Sequence, residues 1–238
     1  MAVKFSLEER PGGPNVSGLE RGLWMLPDGS HVGDLDMWVQ AWANAGYAYC
    51  LNGGVGSTVI TFAGAYDADA PDAFVHVPYG VVILPTYIEV IFEAVGTEST
   101  MEIIALASPS GDLTVTGTAA TPRNMRMGGP TSACTAAVAV DAAGLIDPNV
   151  VGAIEFWKYQ RPLTDTVATT ENDRLPLVFP WSYKTHGIAP LIDGSGTTGT
   201  GDARGASLAV YAASQAGTGF ITLHWLEWPA EIARVLFG

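Results

Sequence analysis

The chain has 238 residues, a formal net charge of -13, 48% hydrophobic residues and only 15% charged residues. This length is enough to bury a sizeable core in one large β domain or two small ones. The acidity repels a phosphate backbone, so we expect no direct contact with nucleic acid. The longest uncharged run, residues 37–66, contains five glycines and three amide side chains, so no membrane span is predicted. The small charged fraction predicts that much of the surface consists of small uncharged residues or is covered by another chain, and we expect association.

Residues 1–32 contain the turn sequences PGGP and LPDGS and show no helix or strand periodicity. We interpret them as an extended docking arm before a single β-sandwich domain, residues 33–238. Because a solvated tail rarely carries many apolar residues, the arm is predicted to lie on a neighbouring surface through Leu19, Leu23, Trp24, Met25 and Leu26. The first residues lack the apolar segment of a secretory signal, which predicts synthesis in the cytoplasm and free thiols at Cys50 and Cys134.

Apolar residues then recur at the spacing of one helical face, and this pattern predicts a short helix between Asp34 and Gly46. After the helix the period changes to two, in short segments separated by Gly, Pro, Asp and Ser. Strands are predicted at residues 57–64, 73–77, 88–95, 101–108, 112–117, 135–140, 153–159, 177–183, 206–214 and 219–229. Strands of this number and spacing indicate an all-β fold, most simply a jelly-roll-like antiparallel sandwich.

The segments 88–95 and 101–108 are predicted to pair as a hairpin. The core face of the first segment is assigned to Ile88, Val90, Phe92 and Ala94. A turn centred on residues 97–98 places Glu93 opposite Glu102, and facing like charges are unfavourable. Either a cation or a basic side chain lies between the two carboxylates, or the register is shifted by one residue.

No segment carries a strong catalytic, cofactor or metal motif. The run GSGTTGTG, residues 194–201, contains GxGxxG, but the following segment alternates like a strand instead of opening a helix. The four histidines are far apart in sequence, and no serine lies in a GxSxG turn. Glu89 and Glu93 on one strand face are about 13 Å apart, whereas paired carboxylates that cleave sugars lie about 5 to 9.5 Å apart. We therefore predict a non-enzymatic protein without a cofactor or a metal site.

The C-terminal segment GFITLHWLEWP, residues 219–229, is apolar on both sides of a strand. One side carries Phe220, Thr222, His224, Leu226 and Trp228, and the other carries Ile221, Leu223, Trp225 and Glu227. Since a strand with one solvated side alternates between apolar and polar residues, the pattern predicts that something covers the second side of this strand.

Four segments resemble a group of tailed-bacteriophage structural proteins in which a β sandwich coats or forms part of the virion. They are residues 85–108, 123–140, 153–159 and 206–229. The resemblance implies a capsid decoration, or cement, protein: a jelly-roll homotrimer that binds the major capsid protein on the outer surface of the virion. The acidity agrees with this position, because an outer protein has no need to contact the genome.

On this basis the covered side of the last strand is predicted to be a subunit interface, formed by Tyr211, Ile221, Leu223 and Trp225, and the arm is predicted to dock on the capsid. Trp225→Asp is then expected to yield monomers. The alternatives are a head-fibre or tail protein that binds a receptor or polysaccharide, a tailspike-like hydrolase, and a jelly-roll major capsid protein. The seven tryptophans suit burial in the fold or in an interface, or a sugar-stacking surface.

Overall fold

The computed structural model describes residues 35–67, 70–95, 100–109, 116–142, 153–162, 177–195, 205–213 and 217–237. Two helices occur in these ranges, α1 (Leu35–Ala45) and α2 (Ala230–Phe237). The predicted helix is confirmed as α1. It ends at Ala45 because Gly46 has a φ of 89°, and the N–H groups of Gly46 and Tyr47 donate to the carbonyls of Ala43 and Trp42, each at 3.0 Å. This is a Schellman motif, which glycine enters without steric cost.

The described residues also form thirteen strands. They are β1 (Ala48–Gly53), β2 (Ile60–Phe62), β3 (Ala73–Pro78), β4 (Val81–Val95), β5 (Thr100–Ser108), β6 (Thr116–Ala120), β7 (Arg123–Asn124), β8 (Thr135–Ala142), β9 (Ile154–Pro162), β10 (Leu177–Ser182), β11 (Ile192–Asp193), β12 (Gly205–Ala212) and β13 (Gly217–Pro229).

The strands form two antiparallel sheets. Sheet I has the order β10-β4-β13-β1-β7, with β11 on β4 and β2 on β13, and sheet II has the order β6-β8-β3-β12-β5-β9. Four long strands remain in each sheet when β2, β7 and β11 of sheet I and β6 and β8 of sheet II are left out. Their orders are β1-β13-β4-β10 in sheet I and β3-β12-β5-β9 in sheet II. Followed along the chain, these eight strands belong to sheets I, II, I, II, II, I, II and I, which is the order of a jelly roll. The predicted all-β, jelly-roll-like sandwich is confirmed.

Several strand boundaries differ from the prediction. β4 is almost twice as long as the predicted strand 88–95, because its first half runs through Pro85. This proline pairs with Trp225 at a register shift between His224 and Trp225, and a bulge is where a sheet tolerates a residue without an N–H group. β1 was not predicted, since AYCLNG does not alternate between apolar and polar residues. The predicted strand 112–117 overlaps β6 only at residues 116–117, and residues 112–115 lie outside the described ranges.

The predicted hairpin between residues 88–95 and 101–108, which lie in β4 and β5, is wrong. β4 lies in sheet I and β5 lies in sheet II, so Glu93 and Glu102 do not face each other across a ladder. Lys158 on the adjacent strand β9 forms an ion pair with Glu102, with 2.9 Å between Nζ and Oε1. The assigned core face is correct for Ile88, Val90 and Phe92, which are fully buried. Ala94 is exposed near the end of the strand.

The predicted subunit interface is also wrong. Ile221, Leu223 and Trp225 are at most 1% exposed and belong to the core between the two sheets. Tyr211 is equally buried, in a cluster with Phe74 and other side chains and against the ring of Tyr66, with 5.1 Å between the ring centroids. All four side chains are therefore buried within one protomer, and none is exposed to a second copy of the chain.

The two helices of the same chain cover half of the opposite side of β13. Leu226 and Trp228 pack against Trp42 of α1 and against Ala230 and Ala233 of α2. The rings of Trp42 and Trp228 meet edge to face, with centroids 5.5 Å apart. The last strand is apolar on both sides because one side faces the core and half of the other faces the helices. No sister molecule is needed to explain the pattern.

A buried carboxylate joins three segments of the sandwich. Asp72, just before β3, is 3% exposed. Its Oδ1 accepts the N–H of Ala63 at 2.9 Å, and its Oδ2 accepts the N–H of Ala212, at the end of β12, at 2.6 Å. Burial raises the pKa of Asp72 from 3.8 to about 6, and the two N–H donors partly oppose this shift.

The pKa of Asp72 predicts how stability changes with pH. Since the folded chain holds this proton more tightly than the unfolded chain, the contribution of Asp72 is largest below pH 4 and decreases as the pH rises to about 6 and above. The decrease is expected to reach about 3 kcal/mol at most. Urea unfolding of the wild type and of Asp72→Asn between pH 4 and pH 7 tests this. The stability of the wild type relative to that of the variant should fall as the pH rises, and a constant difference would contradict the prediction.

Candidate functional site

The half of the outer side of sheet I that neither described helix covers carries a group of polar side chains. We call it the polar patch; it consists of Cys50, Asn52, Tyr87, Glu89, Thr222 and His224. The side chains come from the three central strands β1, β13 and β4. All point to the outer side of the sheet, because the alternate residues Leu51, Ile88 and Leu223 are buried in the core.

Strand register places these six residues in two rows. One row runs from Cys50 to His224 and on to Tyr87, and the other runs from Asn52 to Thr222 and on to Glu89. Neighbouring strands are about 4.8 Å apart, and rows two residues apart are separated by about 7 Å. The patch is therefore small, with three side chains in each row.

Hydrogen bonds within the patch hold four of its side chains. The hydroxyl of Tyr87 donates to Oε2 of Glu89 at 2.6 Å, and the hydroxyl of Thr222 donates to Oδ1 of Asn52 at 3.3 Å. The rings of Tyr87 and His224 are in tilted contact, with 5.3 Å between their centroids. Asn52 is exposed, and the other five residues are half-buried.

Burial shifts the titratable groups of the patch towards their neutral forms. It raises the pKa of Tyr87 to about 12, and the hydrogen bond and negative charge of Glu89 act in the same direction. It lowers the pKa of His224 against the opposing influence of Glu89. It also raises the pKa of the Cys50 thiol, which Arg123 partly opposes. At neutral pH the patch therefore presents an uncharged phenol, imidazole and thiol beside one carboxylate.

This arrangement suits recognition by hydrogen bonds and ring contacts. A thiol with a raised pKa is a poor nucleophile, because the thiolate is the reactive form. Among the described residues, no three His, Cys, Asp or Glu side chains are close enough together to hold a metal ion. The patch can offer a carboxylate, an amide oxygen and two hydroxyl oxygens as acceptors, an amide NH₂ and an imidazole N–H as donors, and two rings for stacking. The protons of the two hydroxyls are already donated to Glu89 and Asn52.

A second surface is formed by loops and a helix at one end of the sandwich. We call it the apolar end; it consists of α2, the turn at residues 79–80, residues 125–133 and the loop 183–191. These segments meet because Val81 pairs with Pro229 just before α2, the N–H of Met125 donates to the carbonyl of Ala48, and the loop runs beside the first half of β4.

The apolar end carries most of the exposed large hydrophobic side chains of the described residues. Three are at turns, each beside a glycine with positive φ: Tyr79 is 64% exposed, Met127 is 94% exposed and Ile188 is 98% exposed. The others are Met125, Leu191, Val235 and Phe237. The same segments contain the cations Arg126, Lys184 and Arg234 and one carboxylate, Glu231. This end is thus locally basic on a chain whose net charge is -13.

Neither surface is predicted by the sequence. The predicted interface residues Tyr211, Ile221, Leu223 and Trp225 belong to neither one, since all are buried. The predicted docking residues Leu19, Leu23, Trp24, Met25 and Leu26 lie outside the described ranges. Strand alternation had placed Thr222 and His224 on one side of β13. Their neighbours on β1 and β4 are more than 130 positions away in the chain, and no local pattern connects them.

Both cysteines are free thiols, as predicted; Cys134 is buried and Cys50 is half-buried. No helix in the described part of the chain is both long enough and apolar enough to span a membrane. Comparison of the chain with protein-family models, with curated proteins and with solved structures gives no match.

Proposed function

We propose that this chain is a non-enzymatic structural protein of a tailed-bacteriophage virion, a decoration or cement protein that binds the outside of the capsid shell. The resemblance of residues 85–108, 123–140, 153–159 and 206–229 suggests this class, and the jelly-roll sandwich is compatible with it. The observation that carries the proposal is the apolar end, where three turns present Tyr79, Met127 and Ile188 to solvent.

The apolar end has the features of an attachment surface. Monomeric soluble proteins rarely expose large contiguous apolar patches, and larger ones mark interaction sites. Each of the three apolar residues is beside a glycine with positive φ, so the backbone already presents its side chain to a partner and docking orders mainly the side chains. The two outermost turns project from opposite edges of sheet I, since Met127 follows β7 and Ile188 follows β10. An attachment surface of that width suits a flat shell better than a narrow cleft.

The charges of the apolar end indicate the kind of capsid surface that would complement it. The segments of the apolar end contain three cations and one carboxylate, so the complementary surface of the major capsid protein should be acidic and should have apolar recesses. The acidic remainder of the chain would then face outwards, away from the shell. The predicted homotrimer remains part of the proposal, with an interface that excludes the buried Tyr211, Ile221, Leu223 and Trp225.

The experiment is cosedimentation of the purified chain with empty shells of its virion. We expect the double variant Met127→Asp with Ile188→Asp to bind at least about tenfold more weakly, because two charges replace apolar contacts. The matched control is Val55→Asp. Val55 is 71% exposed and also lies between glycines with positive φ, but at the opposite end of the sandwich. This control should bind like the wild type.

Three outcomes would contradict the proposal. Wild-type chain that does not bind shells, or a double variant that binds as strongly as the control, would exclude attachment through the apolar end. Closed shells formed by the chain alone, visible by electron microscopy, would instead identify a major capsid protein. Circular dichroism of both variants checks that the fold is retained, which is expected because all three substituted side chains are exposed.

A further inference from the structure

We propose that the polar patch is a binding site for a neutral carbohydrate. Its six residues lie on the outer side of sheet I, beside α1 and apart from the apolar end. The patch combines two rings, Tyr87 and His224, with the carboxylate of Glu89 and the amide of Asn52. The proposal adds a ligand to the chain and does not depend on attachment to a capsid.

The chemistry of the patch matches that of a sugar ring. A sugar presents an apolar C–H face, which packs on an aromatic ring, and a rim of hydroxyls, which donate and accept hydrogen bonds. Glu89 and Asn52 provide acceptors on the outer strands of the patch, and Thr222 lies between them on β13. Hydrogen bonds from sugar hydroxyls to a carboxylate are stronger than those between neutral groups.

The patch is organised before any ligand arrives. The bond from Tyr87 to Glu89, at 2.6 Å, and the bond from Thr222 to Asn52 restrict four side chains that would otherwise rotate freely. Less side-chain freedom is therefore lost when a ligand binds. A fully solvated sheet face would instead carry long, exposed and independently moving polar side chains.

The surroundings of the patch give it two different borders. On one side, Ala48 and Leu226 of the next row are buried beneath Trp42 and Ala43 of α1. A helix is about 10 Å thick, so α1 stands above the flat sheet as a raised edge. On the other side, Phe220, Ile91 and Val178 form the next row. A ligand against α1 would thus have polar groups beneath it and an apolar row at its far side.

Charge selects a neutral ligand. The chain has a net charge of -13, and the carboxylate of Glu89 lies within the patch. Sugars that carry carboxylate, sulfate or phosphate groups would be repelled. Arg123 lies at the edge of the patch, on β7, where it pairs with Cys50 of β1.

The same geometry favours binding without cleavage. Glycoside hydrolysis commonly needs two carboxyl groups about 5 to 9.5 Å apart. Glu93, four residues beyond Glu89 on β4, is about 13 Å away along the strand. The other two carboxylates described on sheet I lie elsewhere: Asp193 is on β11, and Glu227 is bonded to Ser132 and Ala133. A bound glycan should therefore be retained intact.

The test uses the purified full-length chain without capsids. It is applied to an array of neutral oligosaccharides of glucose, galactose, mannose and N-acetylglucosamine, with uronate and sialylated oligosaccharides alongside, and each hit is titrated by calorimetry. We expect binding to at least one neutral glycan and none to the acidic ones. Glu89→Gln should weaken that binding at least tenfold, and Tyr87→Phe should weaken it by a smaller factor. The matched control is Glu93→Gln, an exposed carboxylate on the same strand, which should bind like the wild type.

Three results would overturn the proposal: no binding to any neutral glycan on the array, equal binding to acidic glycans, or equal affinities of Glu89→Gln and Glu93→Gln. Thermal melts of the variants show whether a loss of binding reflects unfolding. Failure of shell attachment leaves this test unaffected, since the variants at Met127 and Ile188 should bind the glycan normally. Likewise, Glu89→Gln should still cosediment with shells.

Discussion

Replacing Trp225 by aspartate is expected to unfold the chain instead of dissociating an oligomer. The indole is 1% exposed, stacks on Tyr49 with 6.3 Å between ring centroids, and donates from Nε1 to Oε2 of Glu227 at 3.2 Å. Truncation of a buried tryptophan to alanine costs about 3–5 kcal/mol. An unpaired buried carboxylate adds several more, and typical domains have only about 5–15 kcal/mol of stability.

Urea unfolding and near-ultraviolet circular dichroism check this prediction. Trp225→Ala should lower the free energy of unfolding by about 4 kcal/mol, and Trp225→Asp should lose its near-ultraviolet signal in buffer. Val178→Asp is the control, because Val178 is 46% exposed at the edge of the same sheet and should remain folded. A folded, monomeric Trp225→Asp protein would contradict the structure and would restore the interpretation of this residue as a subunit contact.

Glu227→Ala is expected to lower the free energy of unfolding by about 3 kcal/mol. Glu227 is 7% exposed, and its carboxylate accepts three hydrogen bonds: from Ser132 Oγ at 2.6 Å, from the N–H of Ala133 at 2.8 Å and from the indole of Trp225. Removing it leaves these donors without an acceptor, which costs more than losing an exposed ion pair. It also detaches the segment that leads into β8 from the end of β13.

The control for this prediction is Glu231→Ala, four residues later on the exposed side of α2, which should change stability by no more than about 0.5 kcal/mol. The free energy of unfolding of Glu227→Gln should lie between those of the two alanine variants. The glutamine amide keeps one acceptor oxygen, but its NH₂ group faces donors that it cannot bind. Equal stabilities of Glu227→Ala and Glu231→Ala in urea would show that the carboxylate does not hold this segment.

The polar patch and the apolar end divide the surface of the chain between two tasks. The apolar end combines exposed hydrophobic turns with cations, as suits a protein partner, whereas the patch combines one carboxylate with neutral polar groups and is bordered by α1. If both proposals hold, the chain would attach to a shell through one end and present a glycan site on a side of the sandwich. Each surface has its own variants and its own control, so the two can be tested independently.

The sequence by itself determined the fold class and much of the local structure. Alternation of apolar residues predicted most of the strands, the helical spacing before Gly46 predicted α1, and the two sides of β13 were separated correctly. These features depend on residues within one turn or one strand, where the side-chain period follows directly from backbone geometry. The exceptions are also local. The first half of β4 was not predicted because it contains Pro85, which the sheet accommodates at a bulge.

Only the tertiary structure decided what covers each apolar side of a strand and which strands are neighbours. Ile221, Leu223 and Trp225 look the same in sequence whether a sister chain or the opposite sheet covers them, because hydrophobic burial has no direction. The prediction of a hairpin that brings Glu93 opposite Glu102 was wrong because consecutive strands of a jelly roll can lie in different sheets. The polar patch brings Cys50 and Asn52 beside His224 and Thr222, and contacts over such sequence separations arise from strand pairing, which no local pattern records.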